Sequence, residues 1–250
     1  INKAYTLEFM QLNDKYTSVF NKVPIFGMIH LGGGDNNVRR ALEEIAIFEE
    51  LGVDGAIVEN YHGSVKDVVD TLDTISGINT KVKIGINILP NGYNLSFSLA
   101  SEYQADFIQM DYVAGKYGQD EIILGHYKKA KDQHPNIIVL GGVWPKYYSP
   151  DQGSNLEADI KTGMQRAEAI VVTGSGTGKE TPFDKIKQFR EYLGNHPLVI
   201  GAGLNHENAY NQLLIADGAI VGSCFKPGSK TDQKIDRVKV RDFMDIVRKV

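Results

Sequence analysis

Eight short apolar runs alternate with eight segments of helical period along this chain, and that alternation constrains its fold more than any other feature. The runs are Ile25–Leu31, Gly55–Glu59, Val82–Leu89, Asp106–Met110, Ile137–Val143, Ala169–Thr173, Leu198–Gly201 and Ala219–Gly222. Each is rich in Val, Ile, Leu or Phe without strict polar alternation. A parallel strand has this pattern when helices cover one face and a packed interior covers the other. The segments between them are Val38–Leu51, Val65–Ser76, Asn94–Tyr103, Glu121–His134, Leu156–Arg166, Phe183–Leu193, His206–Ile215 and Asp236–Val247. In the first of these, Leu42, Ile45, Phe48 and Leu51 form one stripe, which leaves Glu43, Glu44, Glu49 and Glu50 expected largely outside. Pro90, Pro145, Pro150, Pro182 and Pro227 fall after strands, where helices have not resumed.

The pattern predicts a single α/β domain over residues 1–250, a (β/α)₈ TIM barrel with a parallel eight-stranded core, with residues 1–22 as an N-terminal extension. The length of 250 residues suits one such barrel. An open doubly wound sheet also alternates, but it usually carries fewer strands and a glycine-rich turn after the first. Here the glycine-rich turns come late.

Composition narrows the function classes. A formal net charge of -4, with Lys and Arg scattered, gives no basic footprint for nucleic acid. The densest basic stretch, Lys234 to Arg241, alternates with Asp236 and apolar residues as a helix surface does. No run approaches the roughly 18 apolar residues of a membrane span. The single Cys224 makes neither an internal disulfide nor a thiolate metal site. Residues Ile1 to Asp14 lack the apolar core of a signal peptide. A soluble, cytoplasmic protein is expected, with no nucleic-acid or membrane partner and with outer helices available for homo-oligomer contacts.

Glycines cluster at three consecutive strand ends. Strand six runs into Thr173-Gly174-Ser175-Gly176-Thr177-Gly178, strand seven ends in Gly201-Ala202-Gly203, and strand eight ends in Gly222-Ser223. Glycine allows positive φ and close backbone approach, so successive N–H groups can face one anion. In (β/α)₈ barrels a phosphate commonly sits between the turns after strands seven and eight. Gly174, Gly201, Gly203, Gly222 and Ser223 are therefore candidate phosphate ligands; the alternative is that these glycines only permit tight turns. Lys179 does not complete a Walker A loop.

Chemistry in this fold belongs to the C-terminal ends of the strands. His30, Glu59, Asn60, Asn87, Asn91, Asp111, Lys146 and Thr173 end or follow six of them. Glu59, after the apolar Ala56-Ile57-Val58, is a candidate proton-transfer carboxylate, and Asp111 is either a second one or a cap. His30 is either a general acid/base or a loop brace. Lys146 is either an electrophile for a developing oxyanion or a solvated loop lysine. Asn60, Asn87, Asn91 and Thr173 either orient substrate hydroxyls or brace the loops. Glu59 and Asp111 do not fix a metal site by spacing, so no metal and no cofactor is expected. The remaining histidines, His62, His126, His134, His196 and His206, lack ligand spacing and are expected to be structural or exposed.

Several strings occurring in order also carry a resemblance. They are Gly27-Met28-Ile29-His30-Leu31, Ile57-Val58-Glu59-Asn60, Gly85-Ile86-Asn87-Ile88-Leu89, Ala105-Asp106-Phe107-Ile108, Val171-Val172-Thr173-Gly174, Gly201-Ala202-Gly203, Glu207-Asn208 and Ile220-Val221-Gly222. Lys226 with Gly228 and Ile235-Asp236-Arg237-Val238 close the match. From Ile25 to its end the chain resembles the BtpA/SgcQ family. The resemblance implies a TIM barrel of the ribulose-phosphate-binding type. Its members' links to photosystem I biogenesis and to a sugar-uptake gene cluster fix no substrate. The chain departs from the family pattern at Pro90 and Gly92 (arginine and aspartate), at Gln109 and Asp111 (arginine and asparagine), at Gly142 (aspartate) and at Tyr147 (histidine). These departures remove charge from the mouth and leave the glycine turns. The expectation is an isomerase, epimerase or aldol-type lyase acting on a small phosphorylated metabolite such as a sugar phosphate or phosphoribosyl compound. The alternative is a non-catalytic barrel that binds a ligand or assists protein assembly.

Overall fold

The computed structural model describes residues 14–20, 22–32 and 34–250. Eight parallel strands close into a barrel in chain order: β1 Ile25–His30, β2 Gly55–Glu59, β3 Lys83–Asn87, β4 Phe107–Ala114, β5 Ile138–Val143, β6 Ala169–Val172, β7 Leu198–Ile200 and β8 Gly218–Val221. The helices between and after them are α1 Asn37–Leu51, α2 Val65–Ser76, α3 Tyr93–Glu102, α4 Leu124–Gln133, α5 Leu156–Met164, α6 Phe183–Leu193, α7 Ala209–Leu213 and α8 Arg237–Val247. The expected fold is thus the observed one. Of the N-terminal extension expected over residues 1–22, residues 1–13 and 21 lie outside the described residues. Among the described residues no helix is long and apolar enough to cross a membrane.

Alternate residues of each strand pack into two separate cores, because successive side chains of a strand point to opposite faces. Phe26, Met28, Ile57, Phe107, Ile138, Leu140, Ala169, Val171, Val199 and Ile220 fill the barrel interior. Their neighbours Ile29, Val58, Ile86, Ile108, Val139, Ile170 and Ile200 face the helices. Gly85 makes room for the Phe107 ring, since a β-carbon there would fall 2.2 Å from it.

The N-terminal end of the barrel is sealed. Residues 14–19 are helical, and Phe20 stacks edge-on against Phe26 and Phe107 at 4.9 and 5.5 Å between ring centroids. The Tyr16 hydroxyl donates to the Asp217 carbonyl just before β8. Four carboxylates fasten the same end. Each lies one residue before an even-numbered strand and accepts an N–H from the start of the preceding odd strand. Asp54 takes Ile25 at 2.9 Å, Asp106 takes Ile84 at 2.9 Å, Glu168 takes Val139 at 2.8 Å and Asp217 takes Leu198 at 2.8 Å. With one end closed, access to the interior is left to the other.

Three local expectations are corrected. Glu44 is not on the outer face of α1 but fully buried, where its Oε1 accepts from Arg40 and from the Ile235 N–H. Strand β4 runs past Met110 to Ala114 because a register shift between those residues lets it continue pairing with β5. Helix α7 starts three residues later than its apolar period suggests. Asn205 and Asn208 bond each other's backbone there and hold residues 205–208 in a turn.

Candidate functional site

A cavity of about 450 Å³ opens at the C-terminal mouth. Strand register sets what faces it. His30 pairs with Glu59, and Glu59 with Asn87, so three polar side chains stand in a row one layer above the apolar interior. Continuing the same parity brings Gln109, Thr173, Gly201 and Gly222 to that level.

Glu59 is the centre of the polar end. It is only 7% exposed. Its Oε1 accepts from Asn87 Nδ2 at 2.7 Å, and its Oε2 lies 3.5 Å from His30 Nε2. Burial pushes the carboxyl up to about 7; the nearby Lys146 works against this rise and Asp111 adds to it. Asp111 also lines the cavity, 3.1 Å from the Tyr148 hydroxyl. Burial raises its carboxyl too, opposed by Tyr148 and Lys146. The Lys146 ammonium makes no hydrogen bond to any described residue, so it is a cation available to a ligand on the carboxylate side. Such a constellation can take a proton from carbon and offset the negative charge that develops on an adjacent oxygen.

His30 is buried and lines the cavity beside Glu59. Burial first, then the adjacent Lys226 ammonium, holds its imidazole well below the usual histidine range. Lys226 is completely buried, with Nζ 2.8 Å from His30 Nδ1 and donating to the Thr231 carbonyl at 2.8 Å. Desolvation brings the lysine down to about 8.

The other end of the cavity is built from the three glycine turns. They touch one another: a β-carbon on Gly203 would lie 2.1 Å from the Lys179 carbonyl oxygen, and one on Gly178 would lie 3.1 Å from Ser223 Oγ. Gly178 and Gly203 have φ of 71° and 74°, which glycine adopts without cost. Thr181 Oγ1 ties the β6 loop to the Ala202 carbonyl at 2.9 Å, and Asn208 Nδ2 holds the Gly203 carbonyl at 3.1 Å. Thr177, Gly178, Gly201, Gly203, Gly222 and Ser223 all face the cavity. The Gly203 N–H has no acceptor among the described residues. Between the two ends, Tyr61, Leu89, Pro90, Pro145, Tyr147 and Tyr148 make an apolar and aromatic wall.

A sequence profile of the BtpA family matches residues 22–249. The chain belongs to the BtpA family. An uncharacterized protein of Methanocaldococcus jannaschii is 30% identical over 93% of this chain and 98% of its own length. The photosystem I biogenesis protein BtpA of Synechocystis is 24% identical over 89% and 87%. Among solved structures, phosphoribosyl anthranilate isomerase from Thermus thermophilus superposes with a TM-score of 0.61, covering 91% of this chain and 99% of that one at 13% identity. A structure described as native KDPGal superposes with a TM-score of 0.63 at 13% identity, covering 92% and 97%. At such identities the likeness is one of fold.

Within this BtpA-family barrel, the candidates read from sequence divide by position. His30, Glu59, Asp111, Lys146, Thr173, Gly201, Gly203, Gly222 and Ser223 converge on the cavity. Thr173 also accepts the Lys146 N–H at 2.7 Å, and so fixes the backbone that carries the lysine. Gly201 faces the cavity, but its N–H is spent on the Val172 carbonyl at 2.7 Å. Gly174 lies off the cavity, packed so closely on the Glu180 carbonyl that a β-carbon would come within 2.5 Å of it. Asn60 grips both the N–H and the carbonyl of Leu89, Asn91 does the same to Tyr112, and Asn87 bridges Glu59 and Gln109. For Asn60 and Asn91 the bracing alternative describes the geometry, whereas Asn87 holds side chains of the site itself.

Gln109, Tyr148 and Lys226 went unassigned in the sequence. Strand parity two residues beyond Phe107 points to Gln109. Nothing local marks Lys226 as a neighbour of His30, which lies 196 residues earlier.

Proposed function

We propose that this BtpA-family barrel is an enzyme acting on a small phosphorylated metabolite, a sugar phosphate or phosphoribosyl compound, by isomerisation, epimerisation or aldol-type cleavage. One observation carries the reading: a single cavity joins a cradle of glycine turns to a buried carboxylate beside a lysine ammonium that makes no hydrogen bond to any described residue. In this scheme the phosphate is held by the turns after β7 and β8, with Gly203 and Ser223 supplying N–H groups and Gly178 closing over them. Holding a remote phosphate provides binding energy for orienting the reacting carbon. Glu59, ionised, takes a proton from the carbon next to a carbonyl; the carbonyl oxygen gains the charge and Lys146 stabilises it. Glu59 then returns the proton, or a protonated Asp111 delivers its own proton to the carbon while Glu59 keeps the one it took. A carboxyl near 7 suits proton transfer at neutral pH.

The test combines binding with turnover. Inorganic phosphate is titrated against thermal unfolding, and sugar phosphates and phosphoribosyl compounds are screened for conversion with wild type, Glu59→Gln and Lys146→Ala. Conversion abolished by Glu59→Gln with phosphate stabilisation retained supports the enzyme. Phosphate stabilisation without conversion of any compound supports a non-catalytic ligand-binding barrel. No stabilisation by phosphate removes the anchor.

A further inference from the structure

Lys226 sits in the loop after β8, between the 3₁₀ turns Ser223–Phe225 and Pro227–Ser229, and none of its surface reaches solvent. A buried lysine normally meets a carboxylate. Here the ammonium lies 2.8 Å from a ring nitrogen of His30 instead. An ammonium has three donors and no acceptor, so His30 Nδ1 must be the acceptor in this contact. A proton on Nδ1 would set two donors against each other. The imidazole proton therefore sits on Nε2, the nitrogen facing Glu59 Oε2 at 3.5 Å.

A second contact points the same way. The Thr231 carbonyl lies 3.3 Å from His30 Nδ1 and would accept from it in the other tautomer. Lys226 takes that carbonyl at the shorter distance of 2.8 Å. The lysine thus fills the histidine's acceptor position and competes for the histidine's alternative partner at the shorter distance.

The loop is strapped down so that this arrangement persists. Arg40 of α1 donates to the carbonyls of Asp232 and Gln233 while its Nε holds Glu44 at 3.0 Å, and Glu44 in turn holds the Ile235 N–H at 3.1 Å. The charged and titratable groups around Lys226 are Glu44 and Arg40 from α1, Glu59 from β2, and Asp232 from its own loop. Those around His30 are Lys226, Lys146, His62, Glu59 and Tyr61, whose ring centroid lies 5.3 Å from the imidazole.

We propose that Lys226 is a positioning residue that fixes His30 as the neutral Nε2–H tautomer and so aims a permanent hydrogen-bond donor at the Glu59 carboxylate. The inference rests on the reading of Glu59 as the proton-transfer group. His30 then acts as a neutral donor to Glu59 and supplies no proton of its own to the substrate. Lys226 touches neither the cavity nor a ligand and acts through the histidine.

The tautomer can be read directly from ¹⁵N–¹H correlation spectra of the histidine rings in the full chain, with His30→Gln providing the assignment. In wild type, His30 is expected as Nε2–H and unprotonated at neutral pH. Lys226→Met, which keeps length and removes charge and donor, is expected to move the proton to Nδ1 against Thr231 or to add a second. Its proton affinity should rise on the order of a hundredfold as one adjacent positive charge is lost. Lys226→Arg restores a donor and is expected to return the Nε2–H form. A wild-type ring found as Nδ1–H, or doubly protonated near neutrality, overturns the proposal without reference to any variant. So does a folded Lys226→Met whose His30 tautomer and titration are unchanged. If Lys226→Met does not fold, the wild-type spectrum and Lys226→Arg decide. Phosphate stabilisation and turnover are measured on the same samples. Their failure in wild type counts against the proposed function and leaves the tautomer result standing.

Discussion

Replacing Glu59 by glutamine should remove the fall in stability toward alkaline pH along with the proposed chemistry. The carboxyl moves from 4.5 up to about 7 on folding, chiefly because it is buried. Between those two values the folded state holds a proton that the unfolded chain has released, so stability falls as pH rises through this window. At about 1.4 kcal/mol per unit, the loss attributable to Glu59 is on the order of 3 kcal/mol. It is absent well below pH 4.5 and complete above about pH 7. Glutamine does not ionise and escapes the loss. The amide has a handicap of its own: Asn87 Nδ2 and His30 Nε2 face the two oxygens, and the NH₂ group must meet one of them. That handicap is nearly independent of pH, so the decisive quantity is the slope. Urea and thermal unfolding of wild type and Glu59→Gln should diverge by about 3 kcal/mol in favour of the variant between acid and pH 8. For a chain of 250 residues this corresponds to a relative shift of roughly 6–12 °C. Parallel curves, or a difference that grows toward acid, would refute the assignment of a raised carboxyl at this position.

Four further outcomes are expected. Under the proposed chemistry kcat/KM should rise with pH through about 7 and level off above it, because the ionised form of Glu59 is the base; a pH–rate profile with the first identified substrate checks this. Gly203→Ala should cost about 2–4 kcal/mol in urea unfolding, combining a left-handed backbone penalty with overlap on the Lys179 carbonyl, and should abolish stabilisation by phosphate. Phe107→Ala empties the closed end of the barrel and should cost about 3–5 kcal/mol while leaving the phosphate dependence of the melt intact. Glu168→Ala leaves the part-buried Lys131 without its counter-charge and the Val139 N–H without its acceptor, for an expected loss of about 3–5 kcal/mol by the same assay.

The barrel was legible because its signal is repeated. Eight buried strands need eight apolar runs, and each observed strand starts within a residue of its run. What a run does not carry is pairing beyond its own residues, which is why the extension of β4 to Ala114 had no visible cue; the late start of α7 comes instead from the Asn205–Asn208 turn, which an apolar period does not register. Site legibility follows the same division. Residues at strand ends are placed by register alone, so His30, Glu59, Gly203 and Ser223 could be named and do reach one cavity. Whether an amide side chain points into that cavity or back to the chain depends on the loop beside it, and Asn60 and Asn91 turned to their neighbours Leu89 and Tyr112. Glu44 looked like a surface residue because helical period reports the average face. Only the folded loop at Ile235 reveals what it bonds. Lys226 is the extreme case, since its meaning lies in a partner from the opposite end of the chain.

The carboxylate fastenings at the sealed end have a consequence for how such a molecule changes over time. Each links neighbouring strands, and Glu168 and Asp217 also hold Lys131 of α4 and Arg190 of α6, so the locks are gathered at this end and use no residue that lines the cavity at the opposite rim. Loops at that rim are then free to exchange charged groups for neutral ones without loosening the scaffold. A single architecture can in this way pass from one ligand to another while its foundation stays put.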